Sequence, residues 1–161
     1  MRIFIQMIGD LEEDLIFALE EGLSESFNAR ISILAPIPPD ISCFNPLRNQ
    51  FNSTCLLRKL KPVKVTLGII DRDIYADKMN FVFGEAELNG CRAIVSIYRL
   101  RSINSRVTEE RLIKEAVHEI GHVLGLKHCR NHCVMRFSNS VREVDMKPVE
   151  FCAECKKLLG F

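Results

Sequence analysis

His118–Cys133 reads HEIGHVLGLKHCRNHC and holds all four histidines of a 161-residue chain. The longer run Arg106–His128, RVTEERLIKEAVHEIGHVLGLKH, predicts a helix. Thr108 is a suitable N-cap, Glu109 and Glu110 suit the first turn, and Gly125 suits the end. On such a helix His118 and His122 differ by roughly 40° around the axis and sit about one turn apart, so two imidazoles can meet one metal ion. Glu119 is rotated by roughly 100° from His118 and flanks the metal position instead of ligating it.

His-Glu-x-x-His on a helix is the metallopeptidase pattern, in which the glutamate holds a metal-bound water and takes its proton. The bland alternative is an amphipathic helix with two chance histidines. A catalytic zinc needs a third protein ligand and one open position. His128 lies six residues beyond His122. In a continued helix it would point roughly 240° away. The helix must therefore end between them, and Gly125 stands where a left-handed turn would send the chain back. His118-Glu119-x-x-His122-x-x-Gly125-x-x-His128 is the metzincin pattern, far more specific than its five-residue core. Met135, in HCVMRFS, is placed to be the methionine turn beneath the ligands. A tyrosine that touches the metal in some metzincins is replaced here by Phe137.

Four cysteines follow the helix: Cys129 and Cys133, then Cys152 and Cys155 in EFCAECKK. Two close pairs predict a tetrahedral zinc–thiolate site; a redox pair or inert thiols are the alternatives. Such a site would tie the loop carrying His128 and Met135 to the last helix. Cys43, Cys55 and Cys91 stand alone and read as packing residues. His132 reads as a solvent-facing loop residue.

The remaining sequence supplies a scaffold. Strand-like runs at Arg2–Ile8 and within ARISILAPIPP flank a helix running to about Phe27, with Asp10 as its expected N-cap. That order predicts a βαβ unit with a parallel strand pair. STCLLRKLK reads as a short helix capped by Ser53. PVKVTLGIID, NFVFGEAELNG and CRAIVSIYRL read as strands, with a tight turn at Asn89-Gly90. A last helix is expected from near Pro148 to just before Gly160. The fold class is α+β: a metzincin-like mixed sheet of about five strands with three main helices. One domain is expected over 1–161, with 1–105 mainly sheet-forming and 106–161 carrying the active-site helix, methionine turn and cysteines. Net charge is +1, with no basic stripe to draw nucleic acid or an anionic membrane. The N-terminus lacks the features of a signal peptide and no run is long enough to span a bilayer, so a cytoplasmic chain with reduced thiols is expected.

The residues HEIGHVLGLKHC, then CVM, then CAEC resemble one metzincin family, the archaemetzincins. RNQFNSTCLL (Arg48–Leu57) is also similar to a stretch of that family. The resemblance implies His118, His122 and His128 as catalytic zinc ligands, Glu119 as general base and Met135 as the methionine turn. It implies Cys129, Cys133, Cys152 and Cys155 as a second, structural zinc site, so two zinc ions per chain. Three residues separate the first two cysteines here, where the family pattern has four. The implied function is zinc-dependent hydrolysis of peptide or protein substrates, aminopeptidase-like activity being ascribed to some members. The substrate is expected to pair with an edge strand, Phe81–Phe83 or Arg92–Tyr98. Two rivals remain: a zincin whose third ligand is Glu143, and a zinc-stabilised binding module or inactive relative.

Overall fold

A computed structural model describes residues 1–161. Its main sheet has five strands in the order β2-β1-β5-β8-β7. The strands are β1 (Arg2–Ile8), β2 (Arg30–Ile37), β5 (Val65–Ile70), β7 (Gly84–Ala86) and β8 (Arg92–Ser96). β1, β2, β5 and β8 pair in parallel, and only β7 runs antiparallel, against β8. The largely apolar run of β5 is explained by its central place: all six of its residues are buried. A small second sheet joins β3 (Phe44–Asn45), β4 (Gln50–Asn52) and β6 (Ile74–Tyr75).

Helices cover both faces. Ile3, Ile5, Leu67, Ile69, Ala93 and Val95 share one core with α1 (Glu13–Phe27) and α3 (Ser105–Val123). Ile8, Ile70 and Ile94 share a smaller core with α2 (Ser53–Lys59) on the other face. α4 (Val141–Met146) and α5 (Ala153–Leu159) finish the chain.

Several boundaries differ from expectation for local reasons. The side chain of Asn104, not Thr108, caps α3 by accepting from Arg106 N, and Asn52, not Ser53, caps α2 by accepting from Cys55 N. α1 starts after Glu12 instead of Asp10. The last helix begins at Ala153 because residues 141–146 form a separate helix, capped by Ser140, that periodicity over so short a run did not reveal. Two corrections matter more. Cys43 and Cys55 are not lone packing thiols: they form a disulfide between the segment before β3 and the first turn of α2, whereas Cys91 is free. Arg92–Tyr98 cannot offer an edge to substrate, since β8 is held between β5 and β7. The sheet's edges are β2 and β7, and Phe81–Phe83, the other expected edge, is not a strand but the segment just before β7.

Candidate active site and metal centres

α3 packs along β7 and β8 and presents Glu115, His118, Glu119 and His122 to a cleft of about 800 Å³. Those positions recur at helical spacing, so one stripe of the helix lines the cleft. His118 Nδ1 donates to Val134 O at 2.8 Å and His122 Nδ1 donates to Leu126 O at 2.7 Å. Both carbonyls fix the tautomer, which leaves each Nε2 with a bare lone pair. The two Nε2 atoms nevertheless lie 3.1 Å apart. Two acceptors at that distance repel unless a cation lies between them, and tetrahedral zinc sets its nitrogen ligands about 3.3 Å apart.

The helix ends as a third ligand at His128 would require. Gly125 has φ +100°, Gly125 N donates to His122 O at 2.9 Å, and Leu126 N donates to Gly121 O at 2.9 Å. This pair of bonds is a Schellman motif, and it returns the chain toward the helix. Cys129 N donates to Met135 O at 3.0 Å, which closes the following loop and brings His128 back. The ring centroids of His128 lie 5.3 Å from His118 and 4.9 Å from His122, and the ligating atoms of all three fall within 4.8 Å of one another. Burial lowers the pKa of all three imidazoles, so they are neutral and ready to ligate. Met135 is fully buried beneath this triad, and a Cβ at Gly121 would overlap its sulfur. Phe137 stands 5.2 Å from His128, ring to ring. Glu143 is not part of the group: Asn139 N donates to its carboxylate at 3.1 Å in the first turn of α4. His132 is exposed.

Glu119 is 6% exposed and rests against the sheet edge. A Cβ at Gly84 would meet Glu119 Oε1 at 2.9 Å and Ile94 O at 2.6 Å, so only glycine lets β7 approach the carboxylate this closely. Burial, then the charges of Glu115 and Glu85, push its pKa well above the usual carboxylate range, against the pull of Lys147. Lys147 is buried too, with Nζ 2.7 Å from Glu115 Oε1, 3.3 Å from Arg136 O and 3.5 Å from His118 Nδ1. Its contact with Glu115 is charge on charge, because Glu115 Oε1 has no aligned hydrogen-bond partner.

The four cysteine sulfurs form the second group, also within 4.8 Å of one another. Cys129 Sγ and Cys152 Sγ lie 3.8 Å apart. Tetrahedral zinc–thiolate geometry sets sulfurs about 3.8 Å apart. Cys152 N donates to Cys133 Sγ at 3.3 Å and Met135 N donates to it at 3.5 Å, so Met135 is tied directly to this group. Without a cation the sulfurs crowd one another. Hydrogen bonds from Cys155 N and Asn131 lower Cys152 to about 6, while burial and Cys133 push Cys155 far up.

The opposite wall of the cleft, Ala76–Ala86, is fixed by residues that motif reading did not single out. Arg48 donates to Met79 O at 2.6 Å and Gln50 donates to Asn80 O at 2.9 Å. Ser53 and Thr54 donate to Glu85 of β7 at 2.5 and 2.8 Å. All four belong to the stretch Arg48–Leu57 noted in the sequence. Lys147 left no signal at all, being one lysine among many.

The chain matches the model of peptidase family M54 over residues 39–160. It is 55% identical to the archaemetzincin of Archaeoglobus fulgidus over all of both chains. It is 47% identical to that of Methanocaldococcus jannaschii over 99% of this chain and 93% of the relative. The crystal structure of the Archaeoglobus fulgidus protein superposes with a TM-score of 0.95, covering 98% of this chain and 99% of that one. No helix is long and apolar enough to cross a membrane. With a family model over most of its length and relatives of this identity over all of it, the chain belongs to peptidase family M54, the archaemetzincins, and is a zinc metallopeptidase.

Proposed function

We propose that the whole chain acts as one catalytic domain that hydrolyses peptide bonds, with Glu119 moving the proton. His118, His122 and His128 hold the catalytic zinc; Cys129, Cys133, Cys152 and Cys155 hold a second zinc that is structural. When bound, the catalytic ion supplies Lewis-acid polarisation of the scissile carbonyl and lowers the pKa of water. The observation that carries the reading is the convergence of two bare Nε2 lone pairs, 3.1 Å apart, with Glu119 on the same stripe of α3. A purely structural zinc site has no use for a buried carboxylate beside it.

Glu119 takes the proton of the attacking water and returns it to the departing amine as the C–N bond breaks. A carboxylate lifted toward neutral pH suits both halves of that task. Substrate lies extended along the free edge of β7, where backbone N–H and C=O groups at Gly84–Ala86 line the cleft. The pins from Arg48, Gln50, Ser53 and Thr54 keep that edge in place. Gly125 and Met135 hold the third ligand and the floor of the site.

The test combines metal analysis with cleavage of a mixed peptide library. Two zinc ions per chain and hydrolysis that disappears on chelation and returns with zinc are expected. Cleavage that persists in a fully zinc-free protein would defeat the reading.

A further inference from the structure

Phe137, Ser138 and Asn139 line the cleft just beyond the methionine turn. Their segment is neither helix nor strand, and none of the three makes a backbone-to-backbone hydrogen bond. Side chains hold it at its two ends instead. At the far end Asn139 N donates to the Glu143 carboxylate at 3.1 Å. At the near end Lys147 Nζ donates to Arg136 O at 3.3 Å. Glu143 belongs to α4 and Lys147 is the residue that ends it. α4 is in turn fixed to α3: Arg111 donates to both carboxylate oxygens of Asp145 at 2.8 Å, and Lys114 donates to Asp145 O at 3.2 Å.

Lys147 differs from the other anchors in being buried. It and Glu115 are each 3% exposed, and its Nζ lies 2.7 Å from Glu115 Oε1. Stability does not account for such a pair, because apolar residues of like volume commonly serve a core as well or better. What the ammonium adds is direction. Glu115 holds it from the helix that carries His118, Glu119 and His122, and an N–H reaches from there to the carbonyl where the cleft wall begins.

We propose that Lys147 is a positioning residue for substrate: through Arg136 O it holds the wall Arg136–Asn139 against α3 before a peptide arrives. The proposal rests on the peptidase reading above. A wall held in advance need not be ordered by the incoming peptide, whereas a loose one adds its ordering to every binding event. Metal holding and proton transfer do not depend on this bond. Nζ lies 3.5 Å from His118 Nδ1, but that nitrogen already donates to Val134 O, and Glu119 rests against β7. Lys147 therefore acts on substrate binding.

The test compares Glu115→Gln, in which Lys147 can still donate to Arg136 O, with Glu115→Gln/Lys147→Met, in which it cannot. Both are loaded with zinc and assayed on the peptide that the wild type cleaves fastest from a mixed library. The double variant should keep the zinc content of the single one. Its KM should rise by about tenfold or more while kcat stays within about threefold. Backbone NMR order parameters over Phe137–Asn139 should fall from about 0.85 to below about 0.6, with those of α3 unchanged. If Glu115→Gln does not fold with its lysine unpaired, the wild type replaces it as the reference. An unchanged KM, a loss confined to kcat, a loss of zinc, or order parameters that stay high would overturn the proposal. So would a double variant that does not fold, since the pair would then be structural. A wild type that cleaves no peptide would defeat the peptidase reading; a fall in the order parameters would then still support the anchor, and no fall would overturn it.

Discussion

The two groups that could hold a metal ion lie in the same C-terminal segment and are built in opposite ways. His118 and His122 stand on adjacent turns of α3, whose backbone hydrogen bonds fix their spacing whether or not an ion is present. Val134 O and Leu126 O then orient the rings, and a Schellman turn supplies His128. The cysteine group has no such frame. Cys129 and Cys133 come from a loop, Cys152 is the N-cap of α5, and Cys155 lies in its first turn. A few N–H···S bonds are all that oppose the crowding of four sulfurs. The histidine group is therefore organised in advance and open toward the cleft, while the cysteine group is closed and would depend on the zinc proposed for it. Catalysis needs the first kind of site and cohesion needs the second.

The largest expected effect sharpens this contrast by separating chemistry from metal holding. Glu119→Ala should lose about 10²–10⁴-fold in peptide hydrolysis, because it removes the proton carrier, and should keep both zinc ions. Unchanged turnover would remove Glu119 from the mechanism.

Next in size is the fold's dependence on the cysteine group. Cys155→Ser should cost one zinc per chain and lower the thermal midpoint by about 10 °C or more. His122→Ala should also cost one zinc but shift the midpoint by only a few degrees, about 2–4 °C. If Cys155→Ser retains full metal and its midpoint, these cysteines are ordinary thiols.

Mild chelation should follow the same division. About one zinc per chain should leave first, from the open histidine site, with loss of activity and little change in far-ultraviolet circular dichroism. Simultaneous loss of both ions with unfolding would mean that the two sites do not differ as described.

A smaller effect is expected with pH. Burial holds the three imidazoles below their ordinary 6.5. Below 6.5 the unfolded chain therefore binds protons that the folded chain, stripped of the histidine-site ion, refuses. The histidine contribution to the stability of that form should fall as pH drops through 6.5 toward the lowered values. Burial raises the pKa of Glu119 and so acts in the opposite sense, which makes the comparison of wild type with His128→Ala the measurement. Between about pH 7.5 and about pH 5.5 the variant's thermal midpoint should lose less, or gain more, on acidification than the wild type's. Parallel midpoint curves for the two proteins would contradict the burial argument.

The smallest expected effect concerns the floor they share. Gly121→Ala pushes a Cβ onto Met135, which is tied through its own N–H to Cys133. It should destabilise by about 1–3 kcal/mol, read by chemical denaturation, with both zinc ions retained. A neutral substitution would show that the methionine turn has room to move.

Sequence alone determined the histidine-bearing helix, its end and the gathering of His118, His122 and His128, because those features are local. Histidines at helical spacing share a face wherever the helix forms, and a glycine followed by a third histidine implies the turn that structure shows at Gly125. The close cysteine pairs were legible for the same reason. Relations between distant segments were decided only by tertiary structure. The burial of Lys147 against Glu115, the approach of Gly84 to Glu119 and the pins from Arg48 and Gln50 each join residues far apart in the chain. No period or motif encodes such a meeting. The pairing of Cys43 with Cys55 was missed likewise, since two cysteines twelve residues apart become partners only when the segment before β3 folds onto α2. Which strand was left as the edge was also a tertiary outcome. Sheet order put β8 between two neighbours and left β7 open to the cleft.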